Sequence, residues 1–225
     1  MSRPSLTGAF RLGLIALAIS LFAPAAANAE FSHFEHGVLT VHSSEGKVVP
    51  RCMKDNELYV SGLPVYNGPA YCRDLRRIEA DSITGALFDF SNLPANLGGG
   101  QGPIEIHAFS KVTNPTEFSD DKFLGAPGHK NIFSGGLGFD SMTGGDLNDT
   151  LVGGADSDGL DGGRGKDTVR GGKASDKLSG GLGADRLFGG AASDKLLGGP
   201  GRDFLKGGGG FDKLIGGPGR DVQKQ

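Results

Sequence analysis

Short runs of alternating apolar and polar residues dominate the first half of the chain. Such alternation predicts β-strands at residues 37–42, 57–60, 63–66, 77–80, 86–90 and 104–108. The second and third of these runs flank Ser61-Gly62 and predict a hairpin, whereas the stretch 92–103, with three consecutive glycines, predicts a loop. No segment has the 3.6-residue period of a surface helix. The pattern therefore predicts an all-β protein.

From Gly135 to Lys224 the pattern changes to a nine-residue repeat, present in ten copies without insertion or deletion. Every copy opens with Gly-Gly. The sixth place is always aspartate: Asp140, Asp149, Asp158, Asp167, Asp176, Asp185, Asp194, Asp203, Asp212 and Asp221. The eighth place is Met142, Leu151, Leu160, Val169, Leu178, Leu187, Leu196, Leu205 or Leu214 in nine copies and Gln223 in the last. Ten copies in strict register set the fold of this part of the chain.

Each place in the repeat has a physical task. Glycines permit turns with positive φ and bring backbone carbonyls close together, and the aspartate adds an anionic oxygen. Places seven to nine predict a short strand whose central residue faces inward, so that two copies make one coil and coils stack at about 4.8 Å. Carbonyl and carboxylate oxygens are the ligands that calcium prefers. The nine-residue period excludes a collagen triple helix, which needs glycine at every third place.

Residues 135–224 follow the pattern GGxGxDxUx and resemble the hemolysin-type calcium-binding repeats of the RTX family. The resemblance implies a C-terminal parallel β-roll in which several Ca²⁺ ions are held between stacked turns by the ten aspartates and by turn carbonyls. The implied carbonyl ligands belong to Gly136, Gly138, Gly145, Gly154, Gly163, Gly165, Gly172, Gly181, Gly183, Gly190, Gly199, Gly201, Gly208 and Gly210. The alternative is a glycine solenoid without calcium, in which ten aspartates would repel one another.

The aspartates of such a roll form two columns. The first ladder contains Asp140, Asp158, Asp176, Asp194 and Asp212. The second ladder contains Asp149, Asp167, Asp185, Asp203 and Asp221. Place four is glycine in most turns of the second ladder, but in the first ladder's inner copies it is Asp156, Ala174 and Ala192. Because a β-carbon resists the turn conformation, the second ladder is expected to bind calcium more tightly.

Basic residues depart from the family pattern. Lys177, Lys195 and Lys213 recur every 18 residues at place seven, which predicts a lysine column on one face. One hypothesis is that this column contacts an anionic surface polymer such as lipopolysaccharide or an acidic polysaccharide. The alternative is that the lysines only neutralise nearby aspartates. The formal net charge of −3 by itself predicts no partner.

Residues 1–29 have the features of a secretory signal peptide. Arg3 and Arg11 supply the positive end, an apolar run follows, and Ala27-Asn28-Ala29 fits a cleavage site that places the mature start at Glu30. An uncleaved membrane anchor is the alternative, although the apolar run is short for a span. Export to an oxidising compartment favours a disulfide between Cys52 and Cys72, with free thiols or a metal site as alternatives.

The predicted organisation is a signal peptide at 1–29, a β-rich cap region at 30–125, a degenerate leading repeat at 126–134 and the β-roll at 135–224. The degenerate repeat has Asn131 at the aspartate place and Phe133 at the apolar place. No catalytic motif is found, so the leading hypothesis is a secreted or periplasmic calcium-binding protein with a structural or interaction role, not an enzyme. An adhesion or polysaccharide-binding module is one alternative. A relative or fragment of a secreted RTX enzyme or toxin without its catalytic part is another. Neither a nucleic-acid partner nor a membrane span in the mature protein is expected.

Overall fold

The structure is a computed structural model that describes residues 29–35, 38–43, 46–48, 50–52, 58–60, 63–64, 77–82, 86–91, 93, 104–110 and 119–225. Within these residues all regular secondary structure is β-strand, as the alternating patterns predict. The strands ahead of the repeats are β1 (Ala29–Glu35), β2 (Val38–Ser43), β3 (Gly46–Val48), β4 (Pro50–Cys52), β5 (Leu58–Val60), β6 (Leu63–Pro64), β7 (Arg77–Ser82), β8 (Ala86–Asp89), β9 (Glu105–Ser110), β10 (Lys122–Leu124) and β11 (Lys130–Gly136).

The repeats supply the remaining strands. These are β12 (Ser141–Gly145), β13 (Thr150–Gly154), β14 (Gly159–Gly165), β15 (Thr168–Gly172), β16 (Lys177–Ser179), β17 (Leu182–Gly183), β18 (Arg186–Gly190), β19 (Lys195–Leu197), β20 (Phe204–Gly208), β21 (Lys213–Ile215) and β22 (Val222–Lys224). The strands β12, β13, β14, β15, β18 and β20 include the place-one and place-two glycines, so they are longer than the three residues that the repeat predicts.

Two parallel sheets build the solenoid. The ten-stranded sheet has the order β1-β2-β7-β9-β11-β13-β15-β18-β20-β22, and the nine-stranded sheet has the order β21-β19-β16-β14-β12-β10-β8-β3, with β17 beside β14. The chain alternates between the two sheets and makes about six coils in its C-terminal part. Strands β4, β5 and β6 form a small antiparallel sheet, and the β5–β6 pair is the predicted hairpin.

Strand register in the repeats follows the predicted 18-residue coil, which we call a rung. Leu151 pairs with Val169 in the ten-stranded sheet, and Leu160 pairs with Leu178 in the nine-stranded sheet. The place-eight side chains from Met142 to Leu205 face the interior and are at most 3% exposed. Each rung therefore buries one apolar side chain from each sheet, which makes the core of the roll narrow.

Ahead of the repeats the coils are longer and the core is wider. Lys130 pairs with Glu105, 25 residues earlier, and Arg77 also pairs with Glu105, 28 residues later. Three phenylalanine rings stack between the sheets, with centroids 4.7 Å apart for Phe88 and Phe123 and 5.3 Å apart for Phe123 and Phe133. These strands continue the two sheets of the roll, and the antiparallel strand β1 lies at the outer edge of the ten-stranded sheet.

Candidate calcium sites in the turns

The place-one glycine of each repeat is required by the aspartate that follows it. The aspartate side chain folds back over this glycine, so that a Cβ at Gly171 would overlap the carboxylate of Asp176, and a Cβ at Gly180 would overlap that of Asp185. Neither glycine has a positive φ. Glycine is therefore required at place one for steric reasons and not for its backbone conformation. Sequence reasoning missed this role, because it assigned both glycines of the Gly-Gly pair to a turn with positive φ.

One oxygen of each carboxylate joins adjacent rungs. Asp158 Oδ1 accepts a hydrogen bond from the backbone N–H of Asp140 at 2.9 Å, and Asp167 Oδ1 accepts one from the N–H of Asp149 at 2.8 Å. The same bond recurs along both ladders at 2.8–3.0 Å. It fixes the orientation of every carboxylate and brings the predicted site residues into two continuous columns.

The other oxygen, Oδ2, has no hydrogen-bond donor within the described residues. It is buried and unpartnered in Asp140, Asp149, Asp158, Asp167, Asp176, Asp185, Asp194, Asp203 and Asp212. Except for the last, these residues are at most 3% exposed. A buried carboxylate oxygen with neither a donor nor a cation is unfavourable. Nine of them in two ladders require protons or positive ions.

Burial raises the pKa of the eight ladder carboxyl groups from Asp140 to Asp203. Desolvation is the largest cause, repulsion from neighbouring aspartates adds to it, and the backbone hydrogen bond between rungs opposes it. The pKa reaches about 8 at Asp140, about 7 at Asp158 and about 6 at Asp176 in the first ladder. In the second ladder it is about 7 at Asp167 and about 6 at Asp149. The folded roll therefore favours protonated aspartates unless a cation compensates their charge.

Place four has a different conformation in the three inner first-ladder turns that lack glycine there, whereas Gly138 and Gly210 of the same ladder have φ of 111° and 119°. Ahead of the first ladder, φ is 67° at Asp156, 46° at Ala174 and 70° at Ala192, which is the left-handed helical region. Ahead of the second ladder, φ is 130° at Gly165 and 146° at Gly183, where glycine is needed. The three residues that were predicted to resist a turn with positive φ thus have positive φ values. The left-handed conformation costs roughly 1–2 kcal/mol for each alanine.

Hydrogen bonding at place three also differs between the two kinds of turn. Ahead of the first ladder, the N–H at place three donates to the preceding rung, as Ala155 does to the carbonyl of Gly136 at 2.8 Å. In second-ladder turns the N–H at place four donates to the following rung, as Gly183 does to the carbonyl of Pro200 at 3.0 Å. Pro200 and Pro218 occur only in second-ladder turns, where their carbonyls accept these bonds even though proline has no N–H of its own to donate.

The carbonyl groups predicted as ligands lie against the next rung. A Cβ at Gly172 would overlap the carbonyl oxygen of Gly154, and a Cβ at Gly183 would overlap that of Gly165. A carbonyl that already accepts one hydrogen bond keeps a second lone pair. Each turn therefore presents a glycine-lined set of oxygens between stacked rungs, and any larger residue would block it.

This donor set fits calcium. Within the described part of the chain, no three side chains of Asp, Glu, His or Cys converge on one point. An ion between the turns would take most of its ligands from backbone carbonyls, and unpartnered Oδ2 atoms would complete the set. An all-oxygen environment of this kind suits calcium better than a transition metal, which prefers imidazole or thiolate.

Both ladders extend ahead of the repeats. Asn131, predicted at the aspartate place of the degenerate repeat, donates its backbone N–H to Asp149 Oδ1 at 2.7 Å. Asp121 donates its N–H to Asp140 Oδ1 at 2.8 Å in the same way. Sequence reasoning missed Asp121 because it lies 19 residues before Asp140, so a strict 18-residue period points to Lys122 instead.

Two facing parallel sheets, 18-residue coils and ladders of buried aspartates together define a parallel β-roll of nonapeptide repeats. Residues 128–160, 161–196 and 197–222 match the family model for the RTX calcium-binding nonapeptide repeat, which is described as four copies. The resemblance read from the sequence is thereby confirmed, and this part of the chain consists of RTX calcium-binding repeats. No curated protein and no solved structure matches the chain.

The lysine column predicted from the sequence is present. Lys177 pairs with Lys195, and Lys195 with Lys213, in neighbouring strands of the nine-stranded sheet, and all three are exposed. The signal segment up to residue 28 and Cys72 lie outside the described residues, so the signal peptide and the disulfide stay predictions. Among the described residues no helix is long and apolar enough to cross a membrane.

Proposed function

We propose that this protein is exported and that its repeats fold when they bind several calcium ions, giving a rigid structural or interaction scaffold rather than an enzyme. The observation that carries the proposal is the pair of aspartate ladders whose Oδ2 atoms are buried without a donor. The RTX match supports a calcium-binding repeat protein. RTX repeat proteins are generally secreted, which agrees with the predicted signal peptide.

Coupling of folding to calcium follows from the composition of a rung. Each rung orders 18 residues, many of them glycines that lose much conformational freedom, yet it buries only one large apolar side chain per sheet, such as Leu187 and Leu196. Folding without metal also brings carboxylates of like charge into a dry interior. Calcium supplies the compensating charge and cross-links adjacent turns, so metal binding becomes folding free energy.

The two ladders and the turn carbonyls are the proposed ligands. The second ladder is expected to bind more tightly, because its place-four glycines adopt the turn without the strain that Ala174 and Ala192 impose on the first. The N-terminal rungs, with their aromatic core, are proposed to cap the first calcium-binding turn without needing metal themselves.

Circular dichroism and calorimetry of the full mature chain test the proposal. The β signal is expected to be weak in chelator, to rise cooperatively with calcium and to respond far less to magnesium, which prefers to keep its water. Asp185→Asn and Asp176→Asn, one from each ladder, are expected to weaken binding, with the larger loss for Asp185→Asn. A complete β signal in chelator at neutral pH would overturn folding on binding, and a larger loss for Asp176→Asn would overturn the ranking of the ladders.

A second candidate function is binding of an acidic polysaccharide by the lysine column. Its support is the stacking of three exposed lysines at strand spacing on one face. The competing role is neutralisation of the aspartates. Binding of an acidic polysaccharide at saturating calcium, measured over a salt series, tests this candidate, and a wild-type affinity that does not change with salt would remove it.

A further inference from the structure

The outer face of the ten-stranded sheet carries a surface of a different kind. The outward positions of β15, β18, β20 and β22 combine four cations with two aromatic rings. We call this surface the basic–aromatic face, and it consists of Arg170, Arg186, Phe188, Phe204, Lys206 and Lys224. Its four basic residues are exposed and its two rings are half-buried. The face spans four rungs, or roughly 14 Å along the solenoid.

The rings hold the cations in place. The Arg170 guanidinium lies 5.0 Å from the centroid of Phe188, and that of Arg186 lies 5.7 Å from Phe188 and 5.3 Å from Phe204. The Lys224 ammonium lies 5.6 Å from the centroid of Phe204. Cation–π contacts of this kind orient a long side chain while leaving its N–H donors free for a ligand.

Negative charge is missing from this surface. All outward positions of β13, β15, β18, β20 and β22 lie in the described part of the chain, and none of them is acidic. The arginines and lysines of this face therefore have no outward carboxylate to neutralise on β13 or on the strands that follow it. Outward carboxylates of the same sheet do occur on β7 and β9, where Glu79 pairs with Arg77 and Glu105 with Arg77 and Lys130. The explanation that the lysine column serves only to balance aspartates does not extend to this face.

We propose that the basic–aromatic face binds a linear polysaccharide that carries carboxylate groups. The proposal rests on the proposed function, because the face exists only once the repeats have folded. Ring-held guanidinium groups match a carboxylate through two parallel hydrogen bonds. Each of the four rungs contributes one cation, at an axial rise of about 4.8 Å per rung, which matches a ligand whose charges repeat along an extended chain.

The same contacts argue against a single-stranded nucleic acid. Proteins bind such strands by stacking bases on exposed aromatic faces. Here Phe188 has guanidinium groups over its ring, and Phe204 has both Arg186 and Lys224 over its ring. With the ring faces covered by cations, the surface presents charge and hydrogen-bond donors rather than stacking platforms.

The lysine column on the opposite sheet, which is the second candidate for binding an acidic polysaccharide, provides a matched comparison. Its sheet face also carries Asp161 and the exposed side chains of Leu197 and Ile215. Removing two charges from each face in turn changes the net charge equally. Arg170→Gln with Arg186→Gln tests the basic–aromatic face, and Lys177→Gln with Lys195→Gln tests the lysine column.

The experiment measures binding of a short oligogalacturonate to the calcium-saturated full chain over a salt series. Its probes for comparison are the neutral methyl ester of the same oligosaccharide and single-stranded DNA of equal charge. If the basic–aromatic face is the binding surface, the double arginine variant should bind the oligogalacturonate about tenfold or more weakly, and the double lysine variant should bind within about twofold of wild type. The reverse pattern would support the lysine column and overturn the face proposal. Phe188→Leu keeps every charge and is expected to weaken binding about threefold, because the guanidinium groups lose their support.

Circular dichroism and calcium stoichiometry on the same samples separate the two proposals. If wild type shows no β signal even at saturating calcium, both proposals fail. If it already shows the complete β signal in chelator, only folding on binding fails, and the binding assay still tests the face. If wild type folds with calcium but does not bind the oligogalacturonate, only the face proposal is overturned. Equal losses for the arginine and lysine variants, equal binding of the methyl ester, or tighter binding of the DNA would each overturn it as well.

Discussion

Proton linkage gives a direct test of whether the metal-free repeats are folded. In the folded, metal-free roll, burial raises the pKa of five ladder aspartates to values from about 6 at Asp149 and Asp176, through about 7 at Asp158 and Asp167, to about 8 at Asp140. An unfolded chain has ordinary aspartates, with a pKa near 3.8. The number of protons released when calcium binds at neutral pH therefore depends on whether the metal-free repeats are folded or unfolded.

The magnitude follows from the pKa values. At about pH 7 a folded metal-free roll would hold about two protons on the five carboxyl groups whose pKa values are given above. Calcium would displace them. An unfolded chain at the same pH holds almost none. We expect release of close to zero protons, because the metal-free repeats are proposed to be disordered at neutral pH.

The sign of the pH dependence in chelator follows from the same values. A group whose folded pKa is raised stabilises the folded state fully below its unfolded pKa and loses that contribution as pH rises through the folded pKa. Without calcium, the roll should therefore be most stable near pH 4 and lose stability up to about pH 8. The β signal in chelator is expected to be stronger at about pH 5 than at about pH 8.

Calorimetry in buffers of different ionisation enthalpy counts the protons. Asp140→Asn with Asp158→Asn is the informative variant, since a neutral amide imitates a protonated carboxyl, and its β signal in chelator should depend less on pH. Asp146→Asn, at an exposed turn position, is the control. Release of about two protons at about pH 7 would refute the reasoning, because it would mean that calcium meets a roll that is already folded.

Three further substitutions test the packing of the repeats. Ala174→Gly removes a left-handed alanine and should stabilise the calcium-bound protein by roughly 0.5–1 kcal/mol in urea unfolding, because relief of strain exceeds the added chain entropy. Gly171→Ala should abolish calcium binding in its turn by displacing the next aspartate, whereas Gly209→Ala, whose Cβ would lie 3.9 Å from the carbonyl oxygen of Gly190, should leave the calcium stoichiometry unchanged. Leu187→Ala should cost about 2–5 kcal/mol by leaving a cavity, against less than about 1 kcal/mol for the exposed Leu197→Ala.

The regular part of the fold could be predicted because its period never breaks. A shift of one residue would turn every inward side chain outward, so ten copies in frame fix the register, the buried column and both ladders together. Pairing of Leu151 with Val169 and of Lys177 with Lys195 follows directly from the 18-residue coil. The two aspartate ladders could therefore be predicted from the repeat alone, without knowledge of tertiary contacts.

Features that depend on contacts between rungs could not be predicted. The steric role of Gly171 becomes visible only when the Asp176 carboxylate is placed over it. The cation–π contacts of Arg186 involve rings on its own strand and on the neighbouring one, and no local sequence pattern indicates them. Asp121 could not be predicted because one extra residue between Asp121 and Asn131 breaks the nine-residue period. The backbone N–H of Asp121 nevertheless donates to Asp140, just as that of Asn131 donates to Asp149.

The change in core width along the solenoid implies a direction for folding. Rungs near Phe88, Phe123 and Phe133 bury stacked aromatic rings, whereas each rung of the repeats buries one aliphatic side chain per sheet. In a linear array each rung is stabilised mainly by its neighbours, so folding begins where the intrinsic stability is greatest. On the proposal that the aromatic rungs form without metal, they would present Asp121 and Asn131 as the first members of the two columns. Calcium-bound rungs would then add onto this template one after another, from Asp140 and Asp149 toward the C-terminal end.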